Sequence, residues 1–277
     1  MARSVVLAGC GDVGIHLGQR LVRNGWRATG VRRRAKLLPA EISPMSLDLT
    51  NPGSTRIPNP DAVVVSLTAD AAETEAYAHT HLGGLRGLAR ALAESASGEQ
   101  PRVVLISSTG VYGQSDGEII TEETVPLPRR ETSRILLEAE GLVTRLFRNV
   151  TIIRPAGIYG PGRSALIDRV RRGTPLVRDR MTNRIHRDDL VTVIERVLEV
   201  DSPPPIVHAV DREAAPLGEV ADHIARLLGA PEPPAAPETR PRDRGKTIDG
   251  SLVHSMVREV RYPTFREGYA ALLTDRT

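Results

Sequence analysis

A net charge of +3 on 277 residues, with 26% charged and 40% apolar side chains, describes a globular chain long enough for a large core in one or two domains. No apolar run approaches the roughly 20 residues of a bilayer-crossing helix, so a helical membrane span is excluded. One Trp, five Tyr and two Phe are too few for a base-stacking platform, and with Lys36 and Lys246 the only lysines the basicity is arginine, the bias of a GC-rich coding sequence, so nucleic acid is not an expected partner.

In chain order, Met1-Ala2-Arg3-Ser4 leads straight into SVVLA (4–8), a β-branched run of strand length with no signal-peptide pattern before it. The run ends in GCGDVG (9–14), which opens the helical stretch IHLGQRLVRNG (15–25). Gly9, Gly11 and Gly14 thus form Gly-x-Gly-x-x-Gly between a strand and a helix. In that context Gly9 allows a tight turn, Gly11 lets a pyrophosphate approach the backbone, and Gly14 permits close helix–strand packing. The helix start, with Asp12 and Val13, presents amides and a positive dipole end to the anion. A plain tight turn is the alternative. Cys10 between two glycines reads as inert; as the single cysteine it excludes an internal disulfide framework and fits a reducing cytoplasm, the expected location.

WRATGV (26–31) is a second strand, followed by Arg32, Arg33, Arg34 and Lys36. An NAD site places Asp or Glu about 20 residues past the glycines for the ribose hydroxyls. Guanidinium groups in that place can grip a 2′-phosphate bidentately, so NADP(H) is the expected cofactor; a solvated basic loop is the alternative. MSLDL (45–49), DAVVVSL (61–67), RVVLISS (102–108) and VTIIRP (150–155) continue the strands, a helical stretch runs from about Asp70 to Ser95, and PLPRRETSRILLEAEGL (126–142) opens another helix. Buried apolar runs alternating with helices predict an α/β fold, a doubly wound parallel sheet of Rossmann type.

Beyond residue 160 the pattern loosens. LIDRVRRG, DDLVTVIERVLEV and LGEVADHIARLLG read as helices, PIVHAV (205–210) as a strand and APEPPAAPETRPRDRG (230–245) as an exposed connection. The reading places an NADP-binding domain at 1–160 and a smaller substrate-side region at 161–277, from which the chain can cross back to the sheet.

SSTGVYG (107–113), RPAGIYGPG (154–162), NRIHRDDL (183–190) and RYPTFREGY (261–269), in that order, closely resemble the extended short-chain dehydrogenase/reductases, also called the NAD-dependent epimerase/dehydratase family. The resemblance runs from GCGDVG to YPTFREG, and GKTIDGS (245–251) resembles an atypical, shortened branch that lacks the family's Tyr-x-x-x-Lys pair. It implies that Ser108 hydrogen-bonds the substrate oxygen, with Ser107 beside it on the cofactor and Thr109, Tyr112 and Tyr159 on the substrate side. It also implies that Asp48-Leu49 contacts adenine, that Leu67, Thr68 and Ala69 pass the ribose and pyrophosphate, and that Pro155, Ala156, Gly157 and Ile158 border the nicotinamide. His81 sits near the place of a family Asn. Read as residues alone, Ser107 and Ser108 could simply cap a strand, Tyr112 and Tyr159 could be packing residues, His186 closes a turn, and Asp188 and Asp189 start a helix. No His, Cys or carboxylate spacing suggests a metal.

On the helix opening at 126–142, the lysine slot of the pair holds Arg134 and the tyrosine slot Arg130. Arginine does not surrender a proton near neutral pH, although Arg134 could hold the ribose or phosphates. General acid catalysis contributes about 10²–10⁴-fold, while positioning can supply more. An aromatic ketone with a neighbouring phenol, whose internal hydrogen bond stabilises the developing alkoxide, needs less help. The expected function is therefore an NADPH-dependent ketoreductase acting on a bulky secondary metabolite such as an aromatic polyketide in antibiotic biosynthesis. Within the family the chain resembles angucyclinone ketoreductases of the simocyclinone type. A sugar-nucleotide epimerase or dehydratase with a relocated base is the alternative, weakened by Gly157 where many such enzymes carry Asn. A non-catalytic NADP-binding sensor is the third reading. The expected partner is a small-molecule substrate, without nucleic acid or membrane.

Overall fold

β-Branched side chains fit a pleated surface better than a helix, and runs rich in them form most of the strands. In the computed structural model, which describes residues 2–71, 73–93, 100–237 and 243–274, the strands of the main sheet are β1 (Ser4–Ala8), β2 (Arg27–Arg32), β3 (Ser43–Ser46), β4 (Ala62–Val65), β5 (Arg102–Ile106), β6 (Val150–Pro155) and β7 (Ile206–Ala209). They form a seven-stranded sheet in the order β7-β6-β5-β4-β1-β2-β3, parallel at every pairing from β6 to β3. Every residue of β4 is buried, as expected of a strand covered on both faces.

The α-helices up to residue 146, among the described residues, are α1 (Asp12–Arg23), α2 (Thr74–Ala78), α3 (Gly84–Ala93) and α4 (Glu131–Leu146). Leu85 and Leu88 of α3 and Ile135 and Val143 of α4 share one apolar cluster with Val6, Val63, Val65 and Val103 of the sheet. Two glycines set the spacing. A Cβ on Gly18 of α1 would stand 2.7 Å from side-chain carbons of Leu7 and Ile42, and one on Gly87 of α3 would stand 1.8 Å from the Leu49 carbonyl oxygen. The close helix–strand approach expected at Gly14 is therefore made at Gly18, since a Cβ on Gly14 would meet Cys10 Sγ at an ordinary 3.4 Å. Strand order reverses at β1, so the crevice beyond the carboxyl ends of β1 and β4 is the place where a doubly wound sheet binds its ligand.

Three expected elements shift. The strand read at 45–49 lies at Ser43–Ser46, because Asp48 Oδ1 accepts from the Thr50 amide (2.9 Å) and hydroxyl (2.8 Å) and turns the chain. The long helix read from Asp70 is α2, one π-helical turn at His79–Gly83, then α3; its far end at Ser95 lies outside the described residues. In place of a single cut at residue 160, the compact units interleave: Met1–Val111, Pro128–Arg154 and Ile194–Val207 form the first, and Tyr112–Leu127, Pro155–Val193 and His208–Thr277 the second.

The second unit has a parallel pair, Gly157–Tyr159 with Arg184–His186, and a four-stranded sheet ordered Ala215–Pro216, Met181–Thr182, Gly245–Ile248, Asp116–Ile120. Helices Ala165–Arg171, Leu217–Leu228 and Phe265–Thr274 pack Ile167, Val170, Ile224, Phe265 and Tyr269 around Tyr159 and Leu176. The connection read as exposed at 230–245 is partly tied down. Leu176 donates its amide to Pro234 O at 2.9 Å and accepts that of Ala236 at 2.7 Å, while Gly245 begins a strand; residues 238–242 of that connection lie outside the described ones.

Asp211 is buried and should make this unit pH-sensitive. Burial pushes its carboxyl up to about 7, a rise that the nearby Arg184 guanidinium only partly offsets. A group whose folded pKa is raised stabilises fully below its unfolded value and loses that contribution as pH rises through the folded one. Between about pH 4 and 8, wild-type unfolding free energy should therefore fall by up to about 4 kcal/mol more than that of Asp211→Asn. Denaturant titrations of both proteins across that range check it, and parallel pH profiles would show that Asp211 ionises as easily folded as unfolded.

Candidate functional site

The loop after β1 is shaped by its glycines. Gly9 has φ 78, in the left-handed region, and a Cβ there would lie 2.8 Å from Ser66 O. The amides of Gly9 and Cys10 both donate to Val31 O, at 3.0 and 3.2 Å, and Arg32 Nη1 donates to Cys10 O at 3.2 Å, so the end of β2 holds the loop in place. A Cβ on Gly11, which caps α1, would meet nothing nearer than Gly9 O at 3.8 Å. That backbone is open to an approaching anion at the positive end of a 12-residue helix. Burial pushes the Cys10 thiol up to about 11, which keeps it unreactive.

A cavity of about 310 Å³ runs past this loop, within the size range of small-molecule sites. It brings together Gly9, Gly11, Arg32, Arg33, Arg34, Asp48, Leu49, Leu67, Thr68 and Ala69. Asp12, Val13 and Gly14 form the first turn of α1 and do not line it. Hydrogen bonds from Thr50 hold the Asp48 carboxyl below the usual carboxylate range. Asp70, His79 and Thr80 also line the wall, and sequence reasoning missed all three. The π-helical turn that places His79 and Thr80 there leaves no apolar period to read. His81, in the same turn, is buried against Tyr77 with ring centroids 5.1 Å apart, and burial lowers its pKa.

At the end of β5, Ser107 donates to Glu140 Oε1 at 2.5 Å, and Glu140 holds Arg154 bidentately at 3.0 and 2.5 Å, a buried network inside the first unit. Ser108 Oγ accepts the Gly110 amide at 2.9 Å, which leaves its O–H proton to donate. Thr109 starts a short 3-10 turn, partly exposed. Arg130 is the N-cap of α4, and Arg134, one turn on, pairs with Glu131 at 2.5 Å; both arginines are exposed.

The remaining predicted residues belong to the second unit. Tyr112 is buried with its hydroxyl 2.8 Å from His208 Nε2. Tyr159 is buried, stacked on Tyr269 at 4.7 Å, and donates to Thr264 O at 3.4 Å; burial raises its phenol far above the ordinary range. The two phenols expected on the substrate side are thus packed within that unit, because each fills core volume and has a polar partner there. Pro155 and Ala156 are buried, with the Ala156 amide donated to Ala209 O at 2.9 Å, while Gly157 is exposed and Ile158 half-buried. His186 is buried against Tyr262 and accepts the Asp188 amide at its Nδ1 (3.2 Å). Asp189 accepts the Arg261 and Tyr262 amides at 2.7 and 2.9 Å, fastening the RYPTFREG segment. Among the described residues no three His, Cys, Asp or Glu side chains cluster to hold a metal, and no helix is long and apolar enough to cross a membrane.

A model of the NAD dependent epimerase/dehydratase family matches residues 5–207. Protein YeeZ of Escherichia coli K12 is 28% identical over 271 residues, covering 94% of this chain and 97% of YeeZ. A Methylobacillus flagellatus structure assigned to the NAD-dependent epimerase/dehydratases is 29% identical, with a TM-score of 0.83 over 100% of this chain and 99% of that one. A UDP-glucuronic acid 4-epimerase of Bacillus cereus, solved with NAD, shares the fold at 16% identity and a TM-score of 0.81, covering 98% and 96% of the two chains. MoeE5, solved with UDP-glucuronic acid and NAD, shares it at 24% identity and a TM-score of 0.79 over 99% of each chain.

Proposed function

Because the chain belongs to the NAD dependent epimerase/dehydratase family, we propose that this nicotinamide-dependent oxidoreductase uses NADP(H) and reduces the carbonyl of a bulky aromatic ketone of the polyketide type. The observation that carries the cofactor choice is the convergence of Arg32, Arg33 and Arg34 on the cavity that also exposes Gly9 and Gly11. The residues present fit a dinucleotide: the open backbone at Gly11 suits a pyrophosphate, and guanidinium groups suit a 2′-phosphate. When bound, the nicotinamide supplies the hydride. Ser108 offers a hydrogen bond to the carbonyl oxygen, the substrate's own phenol stabilises the alkoxide as it forms, and water supplies the proton that completes the alcohol.

Titrating NADPH and NADH against the wild type and against Arg32→Ala, Arg33→Ala and Arg34→Ala tests this. Loss of one charge-assisted contact should weaken NADPH by roughly ten- to hundredfold and NADH much less. Equal affinity of the wild type for both cofactors would end the claim. A sugar-nucleotide reading draws on the UDP-glucuronic acid bound by MoeE5. Against it stand the arginines in the slots of the proton-transfer pair and the exposed Gly157. Turnover of UDP-glucuronic acid, with no NADPH-dependent reduction across a panel of aryl ketones, would reverse the order of the two readings.

A further inference from the structure

In the free protein the Arg33 guanidinium already has a carboxylate on it. Its Nη2 stands 2.6 Å from Asp70 Oδ1; both side chains are well exposed, and both stand on the wall of the cofactor cavity. Arg33 and then Arg34 hold the Asp70 carboxyl below the usual carboxylate range, so it is an anion at neutral pH. The wall thus carries three guanidiniums against two carboxylates, Asp48 and Asp70. These two acids differ in what they can do. Asp48 has turned its Oδ1 into the Thr50 amide and hydroxyl and serves the turn. Asp70 is spent on Arg33.

The two cofactors meet that pair differently. A 2′-phosphate is a dianion that needs guanidinium N–H groups, so at Arg33 it must take donors from Asp70 or share them at close range with another negative charge. A free 2′-hydroxyl is a neutral donor, and a carboxylate is its natural acceptor. One oxygen therefore opposes NADP(H) and accommodates NAD(H). We propose that Asp70 is a specificity-determining residue, a built-in competitor for Arg33 that narrows the preference for NADP(H) created by the three arginines. This rests on the dinucleotide reading of the cavity and names a residue that acts against it.

Binding of NADPH and NADH, followed by fluorescence titration on wild type, Asp70→Asn, Arg33→Ala and the double variant, decides the matter. Asp70→Asn should bind NADPH roughly two- to fivefold more tightly at low salt, as suits an exposed charge, with NADH unchanged or weaker. The gain should shrink at about 0.3 M salt, where exposed charges are screened, and should largely vanish in the Arg33→Ala background, where the guanidinium that Asp70 contacts directly is gone and only the more distant Arg34 remains. Weaker NADPH binding by Asp70→Asn would show that the carboxylate positions Arg33 instead, and an equal gain for both cofactors would show a general charge effect; either overturns the proposal. If the wild type prefers NADPH and Asp70→Asn leaves that preference unchanged, the cofactor reading stands and this inference falls. If the wild type binds both cofactors equally and Arg33→Ala alters neither, both fall. Asp70 is exposed, so the thermal midpoint of the variant should match the wild type and keep folding out of the comparison.

Discussion

Methylating the phenol of an ortho-hydroxyaryl ketone should slow its reduction by this protein by about 10²–10⁴-fold, the usual worth of a general acid. The expectation follows from what stands on α4. Arg130 is the N-cap, exposed, and Arg134 is exposed and paired with Glu131, and a guanidinium holds its proton too tightly to hand it to an alkoxide near neutral pH. The phenols of Tyr112 and Tyr159 are buried in the second unit with partners of their own. In the proposed reduction, assistance comes from the substrate, with Ser108 adding a hydrogen bond. Arg130→Ala should accordingly keep most of its turnover, and Arg134→Ala should act on cofactor affinity. Ser108→Ala should lose up to about 10²-fold if its hydroxyl meets the oxyanion. Installing Arg130→Tyr with Arg134→Lys should bring no large gain. Turnover measured on the ketone and its O-methyl ether decides between the schemes. Similar rates on both would sink substrate assistance, and a loss above about 10³-fold in a folded, cofactor-binding Arg130→Ala would return the proton to the protein.

Replacing Glu140 by alanine should destabilise the protein by about 3–5 kcal/mol, the usual consequence of removing one partner from a buried ion pair. Glu140 and Arg154 are both nearly inaccessible, at 3% exposure each, and two hydrogen bonds join them. Alanine deprives the Arg154 guanidinium of that carboxylate in a place water does not reach, and it takes the acceptor from Ser107 as well. At the thermal midpoint this is a drop on the order of 6–20 °C for a chain of this size. Glu140→Gln, which keeps an acceptor of the same shape, should lose less than the alanine variant. Replacing both partners with apolar residues should recover much of the loss, because no buried charge then remains. Calorimetry of the three variants is the check, and a Glu140→Ala protein within about 1 kcal/mol of wild type would mean that water reaches Arg154.

Most strands of the main sheet and the glycine loop after β1 were legible in the sequence because their causes are local. β1 and β6 run over the residues read for them, since Val5–Ala8 of β1 is an unbroken apolar run and β6 carries Val150, Ile152 and Ile153 in so short a stretch. Gly9 is needed where it stands because the backbone itself is left-handed there, and the three arginines follow β2 directly, so their delivery to the cavity needed only that strand to be placed.

Tertiary structure decided what depends on distant partners. Strands Asp116–Ile120 and Gly245–Ile248 pair with each other in parallel across more than a hundred residues, and neither is apolar enough to announce itself. Gly14 looked like the packing glycine by motif, yet Gly18 is the one pressed against Leu7 and Ile42, because helix–sheet spacing is set by side chains from elsewhere in the chain. Ser107 belongs to a buried network only once Glu140 and Arg154 face it across α4 and β6. Asp70 reads as an unremarkable acid in a polar stretch until β2 and β4 take their places on either side of β1 and the segments after them set its carboxylate on Arg33. Side-chain period reports which face of an element is buried, and it carries no information about which charge a loop will meet when the strands are brought into register.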